Sequence, residues 1–153
     1  MKKTLIQTLI ILFFFISFNS TAEIKHINEG NVDAKVKLVV FESLTCSHCG
    51  DFHKNIYPKL KTDFIDKNLI LIEYRNFPLD IAAFNAAKIA HCKNDGKSEI
   101  LHHLYNNQSS WVRGSTIEDL NKNLKRLVQE SGFKLDFDNC IANSKIEDFI
   151  LED

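Results

Sequence analysis

The sequence predicts an α/β fold, because two apolar strands flank a stretch with helical periodicity. Residues 36–41 and 69–74 are rich in β-branched and aliphatic side chains, as in strands covered on both faces. Between them, apolar side chains recur every three or four residues, which places them on one face of a helix that ends near residue 66: Cys49, Phe52, Ile56, Leu60 and Phe64. Strand, helix and strand form a β-α-β unit with a right-handed crossover. We expect the first strand to be the central one.

The second half of the chain is predicted to be helical, without strands. Asp80 is a suitable N-cap for an Ala-rich helix, and a short helix follows at residues 99–106. Ser115 and Glu118 form a capping box for a third helix. A fourth helix is expected at residues 137–150.

Length and composition fit an ordinary folded protein. The 153 residues are 44% apolar and 25% charged, which supplies a normal core and excludes a disordered chain. The net charge of −1 excludes a basic nucleic-acid footprint. We divide the chain into a signal peptide at 1–22, the strand-containing part at 23–79 and the helical part at 80–153.

The N-terminus has the features of an export signal. Lys2 and Lys3 precede an apolar run at residues 9–18, and a small-residue cleavage site ends at Ala22. An uncleaved membrane anchor is the alternative, although the run is shorter than the roughly 20 residues of a spanning helix. Export to the periplasm would place the four cysteines in an oxidising compartment, which favours disulfides over zinc.

Cys46 and Cys49 form a C-x-x-C motif where the first strand turns into the helix. A c-type haem attachment needs His directly after the second Cys, and this chain has Gly50 there. A zinc site needs four ligands; His53 is a candidate third, but no second C-x-x-C or His pair follows. We interpret the motif as a redox dithiol, with zinc and an inert disulfide as alternatives. No cofactor and no metal are predicted.

The two thiols of the motif are expected to differ. A free thiol has a pKa of about 8.5, and the N-terminus of a helix stabilises the thiolate of Cys46 through unpaired N–H groups and the macrodipole. His48 adds to this stabilisation when it is protonated or donates a hydrogen bond. We therefore predict that Cys46 is the nucleophile, that Cys49 is the buried resolving thiol, and that His48 tunes the thiolate.

Cys92 and Cys140 lie far apart in the helical half, and the plain interpretation is a structural disulfide. Closing a loop of this length stabilises by about 4 kcal/mol in the chain-entropy model. Two free buried thiols and a second redox pair are the alternatives.

The remaining titratable residues receive ordinary interpretations. His102 and His103 are predicted on a helix surface, and Glu42 is predicted to be an ordinary carboxylate at a strand end, with a proton relay as the alternative. His53 lies two turns from Cys46 on the same helix, so a tuning role is also considered for it.

Three groups of residues resemble the exported thiol:disulfide oxidoreductases of the DsbA type. The segment Leu-Thr-Cys-Ser-His-Cys-Gly-Asp-Phe-His at 44–53 is close to the active-site motif of that family. Residues 74–80 resemble its exit into an inserted helical domain, and the later pattern is similar to that insertion: Cys92, Gln108, Trp111 and Cys140. The resemblance implies a thioredoxin-like fold with an inserted all-helical domain. It also implies reduced or unfolded secreted proteins as clients and a quinone-linked membrane partner that re-oxidises the dithiol.

The chain departs from this family at three points. Ser47 stands where Pro is frequent, and Val40 stands where many members have an acidic residue. The C-terminal β-hairpin, the last helix and a cis-Pro loop of the family have no counterpart in the sequence, so we expect a truncated product. Its sheet would expose an edge and an apolar face, which predicts marginal stability or dependence on a partner. A disulfide isomerase or reductase, or an impaired remnant that only binds clients or a partner, is the alternative function.

Overall fold

The computed structural model describes residues 23–153 and contains one three-stranded sheet in this part of the chain. Its strands are β1 (Ile27–Gly30), β2 (Val36–Glu42) and β3 (Ile70–Asn76), in the order β1-β3-β2. β1 runs antiparallel to β3, whereas β2 runs parallel to it, as the predicted β-α-β unit requires. The predicted signal peptide lies outside the described residues.

The strand predicted to be central lies at an edge. β3 occupies the centre and is largely buried, while β2 exposes 57% of Val36 and 60% of Phe41. The prediction was wrong because an apolar strand looks the same in sequence whether or not a further element covers it. The expected exposed edge and apolar face are both seen, since β2 pairs with β3 alone among the described strands.

The helix after β2, here called α1, spans residues 47–65 and alternates between α and π turns. The segments in order are Ser47–Asp51 (α), Phe52–Ile56 (π), Tyr57–Leu60 (α) and Lys61–Ile65 (π). A π turn holds more residues than an α turn, so the buried face shifts along the helix. Gly50, His53 and Ile65 are buried, whereas Ile56 and Phe64 are exposed, contrary to the predicted stripe.

Six helices follow β3 instead of the four predicted. They are α2 (Ile81–His91), α3 (Glu99–Asn106), α4 (Gln108–Trp111), α5 (Ile117–Glu130), α6 (Phe137–Ile141) and α7 (Ser144–Glu152). The predicted last helix is divided because the side chain of Asn143 caps α7 and ends continuity with α6. α5 begins after Thr116, which accepts a hydrogen bond from the backbone N–H of Asp119, so the predicted Ser115 cap was one residue early.

The helical part packs around α2. The Asp80 side chain accepts a hydrogen bond from the N–H of Ala83 and caps this helix, as predicted. Trp111 and Tyr105 are fully buried in the core beside it. Cys92, at the C-cap of α2, forms a disulfide with Cys140 in α6, with a Cα–Cα distance of 5.4 Å. Among the described helices, none combines the length and apolarity needed to cross a membrane.

Candidate active site

Cys46 lies at the N-cap of α1, four residues after β2 ends. Its backbone is extended (φ −71°, ψ 120°), and its carbonyl accepts the first hydrogen bond of the helix from Gly50 N at 3.1 Å. The N–H of Cys46 donates to the carbonyl of Ser43 at 3.0 Å, which closes the turn between strand and helix. Cys46 and Cys49 are both free thiols and both partly exposed. The structure therefore brings the dithiol to the helix N-terminus at the carboxyl end of a parallel strand, where α/β folds place their chemistry.

The surroundings shift the pKa values of the two thiols in opposite directions. The backbone N–H of Cys49 is the main group that lowers the pKa of Cys46; the side chain of Cys49 and the N–H of His48 add to it, and slight burial opposes them. Burial is the main cause that raises the pKa of Cys49 to about 11, and the charges of Cys46 and Glu42 add to it. Cys46 is thus the thiol that ionises first, as a helix N-terminus predicts.

The imidazole of His48 points into solvent. The side chain is exposed, and among residues 23–153 its ring has no hydrogen-bond partner. The contribution seen at the dithiol is the backbone N–H of His48. Tuning of the thiolate by the ring therefore stays a prediction.

Gln108 holds the loop that carries Cys46, and the sequence assigned it no role in the site. Its side-chain amide donates to the carbonyls of Leu44 at 2.9 Å and Cys46 at 2.8 Å. The amide reaches them across Gly50, where an added Cβ would lie 2.4 Å from Gln108 Oε1. A glycine directly after the second cysteine, inside a helix, was the available signal that a side chain from elsewhere packs there.

Replacing Gln108 with Ala should lower the free energy of unfolding by about 2–3 kcal/mol, because the carbonyl of Leu44 loses its donor in a buried place and the carbonyl of Cys46 loses one of its two donors. Urea unfolding monitored by circular dichroism measures the loss. Ser109→Ala, at the exposed neighbouring position, is the matched control and should change stability by less than about 0.5 kcal/mol. Equal effects of the two substitutions would contradict the assigned role of Gln108.

The same loop is fixed to the start of the helical part. Thr45 Oγ1 donates to Asp80 Oδ2 at 2.7 Å, and the N–H of Leu79 donates to Ser43 Oγ at 3.2 Å. Asp80 thus caps α2 with one carboxylate oxygen and holds the active-site loop with the other. Asp80 thereby links the start of α2 directly to the loop that carries the dithiol.

Glu42 and His53 lie buried behind the dithiol. Glu42 is 8% exposed, and its Oε2 lies 2.7 Å from Nε2 of His53, which is 2% exposed. Burial raises the pKa of Glu42 to about 8, and burial, with the charge of His102, lowers the pKa of His53 to about 3. Glu42 lies at the end of its strand as predicted, but because it is buried with a raised pKa it is not an ordinary carboxylate. His102 contacts His53 from α3 and is largely buried, so the prediction of a surface position for His102 was wrong. Packing between distant elements creates this environment, and local sequence does not show it.

Glu42 should make stability fall with rising pH between about 6.5 and 8. A carboxyl whose pKa is about 8 in the folded protein and 4.5 otherwise binds a proton only when folded over that interval, so raising the pH removes stability. His53 has the opposite sign, but its contribution ends near pH 6.5, its unshifted pKa. Over this 1.5-unit window the unfolding free energy of the native protein should fall by about 2 kcal/mol relative to Glu42→Gln.

Urea unfolding of both proteins at the two pH values measures this difference, and groups common to both, including Cys46, cancel in the comparison. A gap between native protein and variant that does not change with pH would show that Glu42 is ionised throughout.

The positions of the candidate ligands do not favour a zinc centre. The two ring nitrogens of His53, the candidate third ligand, are directed at Glu42 and His102. Across residues 23–153, no three His, Cys, Asp or Glu side chains are grouped as metal ligands would be.

Comparison with known proteins identifies the family and the fold of this chain. A family model described as thioredoxin matches residues 22–153. The chain belongs to this thioredoxin family. The crystal structure of α-DsbA1 from Wolbachia pipientis is 34% identical with a TM-score of 0.74, covering 83% of this chain and 64% of that one. The thioredoxin-like fold and the DsbA-type resemblance are thereby confirmed.

Two further proteins are similar to this thioredoxin-family chain over most of its length. A Rickettsia bellii protein provisionally named a protein-disulfide oxidoreductase is 30% identical over 126 residues, 80% of this chain and 47% of that protein. A protein-disulfide isomerase from Novosphingobium aromaticivorans shares the fold with a TM-score of 0.71 at 21% identity, covering 86% of this chain and 78% of that one. The chain spans about half the length of the curated relatives it matches.

Proposed function

We propose that the protein is an exported thiol:disulfide oxidoreductase that introduces disulfides into secreted client proteins in the periplasm. The observation that carries the proposal is the difference between the two thiols: the pKa of Cys46 is lowered, and the pKa of Cys49 is raised. A stabilised Cys46 thiolate favours the reduced protein, so the Cys46–Cys49 disulfide is oxidising toward clients. The family membership and the relatives named above support the same chemistry.

The exchange starts at Cys46. A client thiolate attacks Cys46 Sγ and forms a mixed disulfide, and the electron pair of the broken bond stays on Cys49 Sγ. A second client thiol then gives up its proton and attacks the client sulfur of the mixed disulfide. Cys46 leaves as the stabilised thiolate, and the client gains its disulfide. The dithiol is proposed to be re-oxidised by a quinone-linked membrane partner.

Two measurements on the purified protein test this function. The ultraviolet absorbance of the thiolate, followed against pH in a Cys49→Ala variant, should place the pKa of Cys46 below the ordinary value of about 8.5. The oxidised native protein should convert a reduced, unfolded ribonuclease to its disulfide form. An ordinary pKa at Cys46 together with no oxidation would refute the oxidase.

The alternatives give different results in the same experiments. An isomerase would refold scrambled ribonuclease and would do so in the Cys49→Ala variant, because isomerisation needs only the attacking thiol. A remnant that only binds clients would form a complex with unfolded ribonuclease that is unaffected by Cys46→Ala.

A further inference from the structure

Four polar side chains behind the dithiol contact one another in series, and we call this series the line. Glu42 Oε2 lies 2.7 Å from His53 Nε2, and His53 Nδ1 lies 3.0 Å from His102 Nδ1. His102 Nε2 in turn pairs with Oε1 of Glu29. The four side chains come from β2, α1, α3 and β1, so the line joins four separate elements. It begins beside the loop that carries Cys46 and ends at Glu29.

The donors and acceptors of this line match in one direction throughout. A protonated Glu42 donates to His53 Nε2, His53 Nδ1–H donates to His102 Nδ1, and His102 Nε2–H donates to the Glu29 carboxylate. Each neutral imidazole then uses one donor and one acceptor nitrogen. Moving every proton one step along the line gives an ionised Glu42 and a protonated Glu29, with the same number of hydrogen bonds.

The pKa values of Glu42, Glu29 and His53 agree with the first arrangement, in which His102 is taken as neutral. Burial raises the pKa of Glu42 to about 8, so this carboxyl is protonated at neutral pH. The pKa of Glu29 is lowered to about 2, because hydrogen bonds from His102, Ser98 and Tyr57 outweigh its burial. Burial also keeps the His53 ring neutral.

Aromatic rings enclose the middle of the line. His53 is stacked on Tyr105 with 3.9 Å between ring centroids, and Tyr57 is stacked on His102 at 4.0 Å. The titratable groups that face His53 are Glu42 and Tyr74 from the sheet, Tyr57 from its own helix, and His102 and Tyr105 from α3.

The two ends of the line differ in their access to solvent. The Glu29 side chain is 14% exposed. At the other end, Oε1 of Glu42 and the hydroxyl of Tyr105 are buried without a partner in the described residues, and both residues line a cavity of about 10 Å³. This is roughly the space that one water molecule needs. The backbone N–H of Ser43, next to Glu42, lowers the pKa of Cys49 and the charge of Glu42 raises it, so that thiol lies within electrostatic reach of this end.

We propose that Glu42, His53, His102 and Glu29 form a proton line that connects the buried carboxyl behind the dithiol with solvent at Glu29. The proposal rests on the proposed function, because thiol–disulfide exchange supplies a use for the line. When a client thiolate attacks Cys46, the broken bond leaves an electron pair on Cys49 Sγ, and Cys49 takes up one proton. For this transfer the line is in its shifted arrangement, with Glu29 protonated from solvent and the Glu42 proton on Oε1. Glu42 gives that proton to Cys49 while Glu29, His102 and His53 each pass one proton toward Glu42 Oε2, which leaves the first arrangement. Re-oxidation runs the transfer in the opposite direction.

Hydrogen–deuterium exchange at Glu42, followed by infrared spectroscopy, tests the line without any client. The carboxyl band of protonated Glu42 at pH 6 is assigned by its loss in Glu42→Gln. In the native protein, transfer to D2O should shift this band rapidly. In His102→Phe, where a ring of similar size cannot carry a proton, exchange should slow by at least about tenfold, since it must await opening of the buried site.

The neighbouring His103 is the matched control. It lies on the same helix, and its ring packs edge-on against Phe133, away from the line. His103→Phe should therefore exchange like the native protein. Glu29→Gln serves as a second variant if His102→Phe fails to fold, and it should also slow exchange. A merely structural role for His102 would loosen the site and speed exchange, so unchanged or faster exchange overturns the proposal. Normal ribonuclease oxidation in that event would leave the oxidase function intact.

Discussion

Cys46→Ser should abolish client oxidation, whereas Cys49→Ser should hold the client on the protein as a stable mixed disulfide. The reason is the difference between the two thiols. With a pKa of about 11, Cys49 is ionised in roughly one molecule in 10,000 at pH 7, so it cannot replace Cys46 as the nucleophile. Cys46 remains reactive without Cys49, because the backbone N–H groups of the helix N-terminus still stabilise its thiolate.

Mass spectrometry after mixing each reduced variant with a client disulfide measures the difference. The Cys49→Ser variant should carry one client adduct on Cys46, and the Cys46→Ser variant should carry none within the same time. Ser47→Ala, at an exposed position between the two cysteines, is the control and should retain oxidation. An adduct on Cys49 in the Cys46→Ser variant would show that the assigned order of the two thiols is reversed.

The sequence predicted the reacting atoms better than their surroundings. C-x-x-C spacing, strand and helix periodicity and the Asp80 cap are local patterns, and the structure places Cys46 at a helix N-terminus as they indicate. Gln108 reaches the same loop from 62 residues away, and no local rule identifies that contact. The position of β2 at the sheet edge likewise depends on what else packs against it.

The histidines show a second limit of reading a sequence. His53 lies four residues after Cys49, on the face of α1 that packs against α3, and there it contacts His102. The predicted apolar stripe did not include His53, and no residue near His102 in the sequence indicates that α1 packs against it. The buried polar line therefore depends on contacts between separate elements, which apolar spacing does not show.

Reducing the disulfide between Cys92 and Cys140 should lower the free energy of unfolding by about 4 kcal/mol. The bond restricts the unfolded chain across a long loop, with a sequence separation of 48 residues between its cysteines. Reductant would also open the dithiol of the native protein, so the experiment uses Cys46→Ala/Cys49→Ala, in which reductant acts on this bond alone. Urea unfolding with and without reductant gives the difference, and a value below about 1 kcal/mol would contradict the prediction.

The stability lost with this disulfide should be a large part of the total free energy of unfolding, so the protein without it should be close to unfolding. A domain of this size has a total stability of about 5–15 kcal/mol, and exposed apolar side chains on β2, including Val36 and Phe41, place this protein toward the lower end. The disulfide joins the end of α2 to α6, and the start of α2 holds the active-site loop through Asp80. Loss of the disulfide should therefore release the dithiol loop together with the helical part, so that in Cys92→Ala/Cys140→Ala client oxidation, measured without reductant, and circular dichroism decline at the same urea concentration.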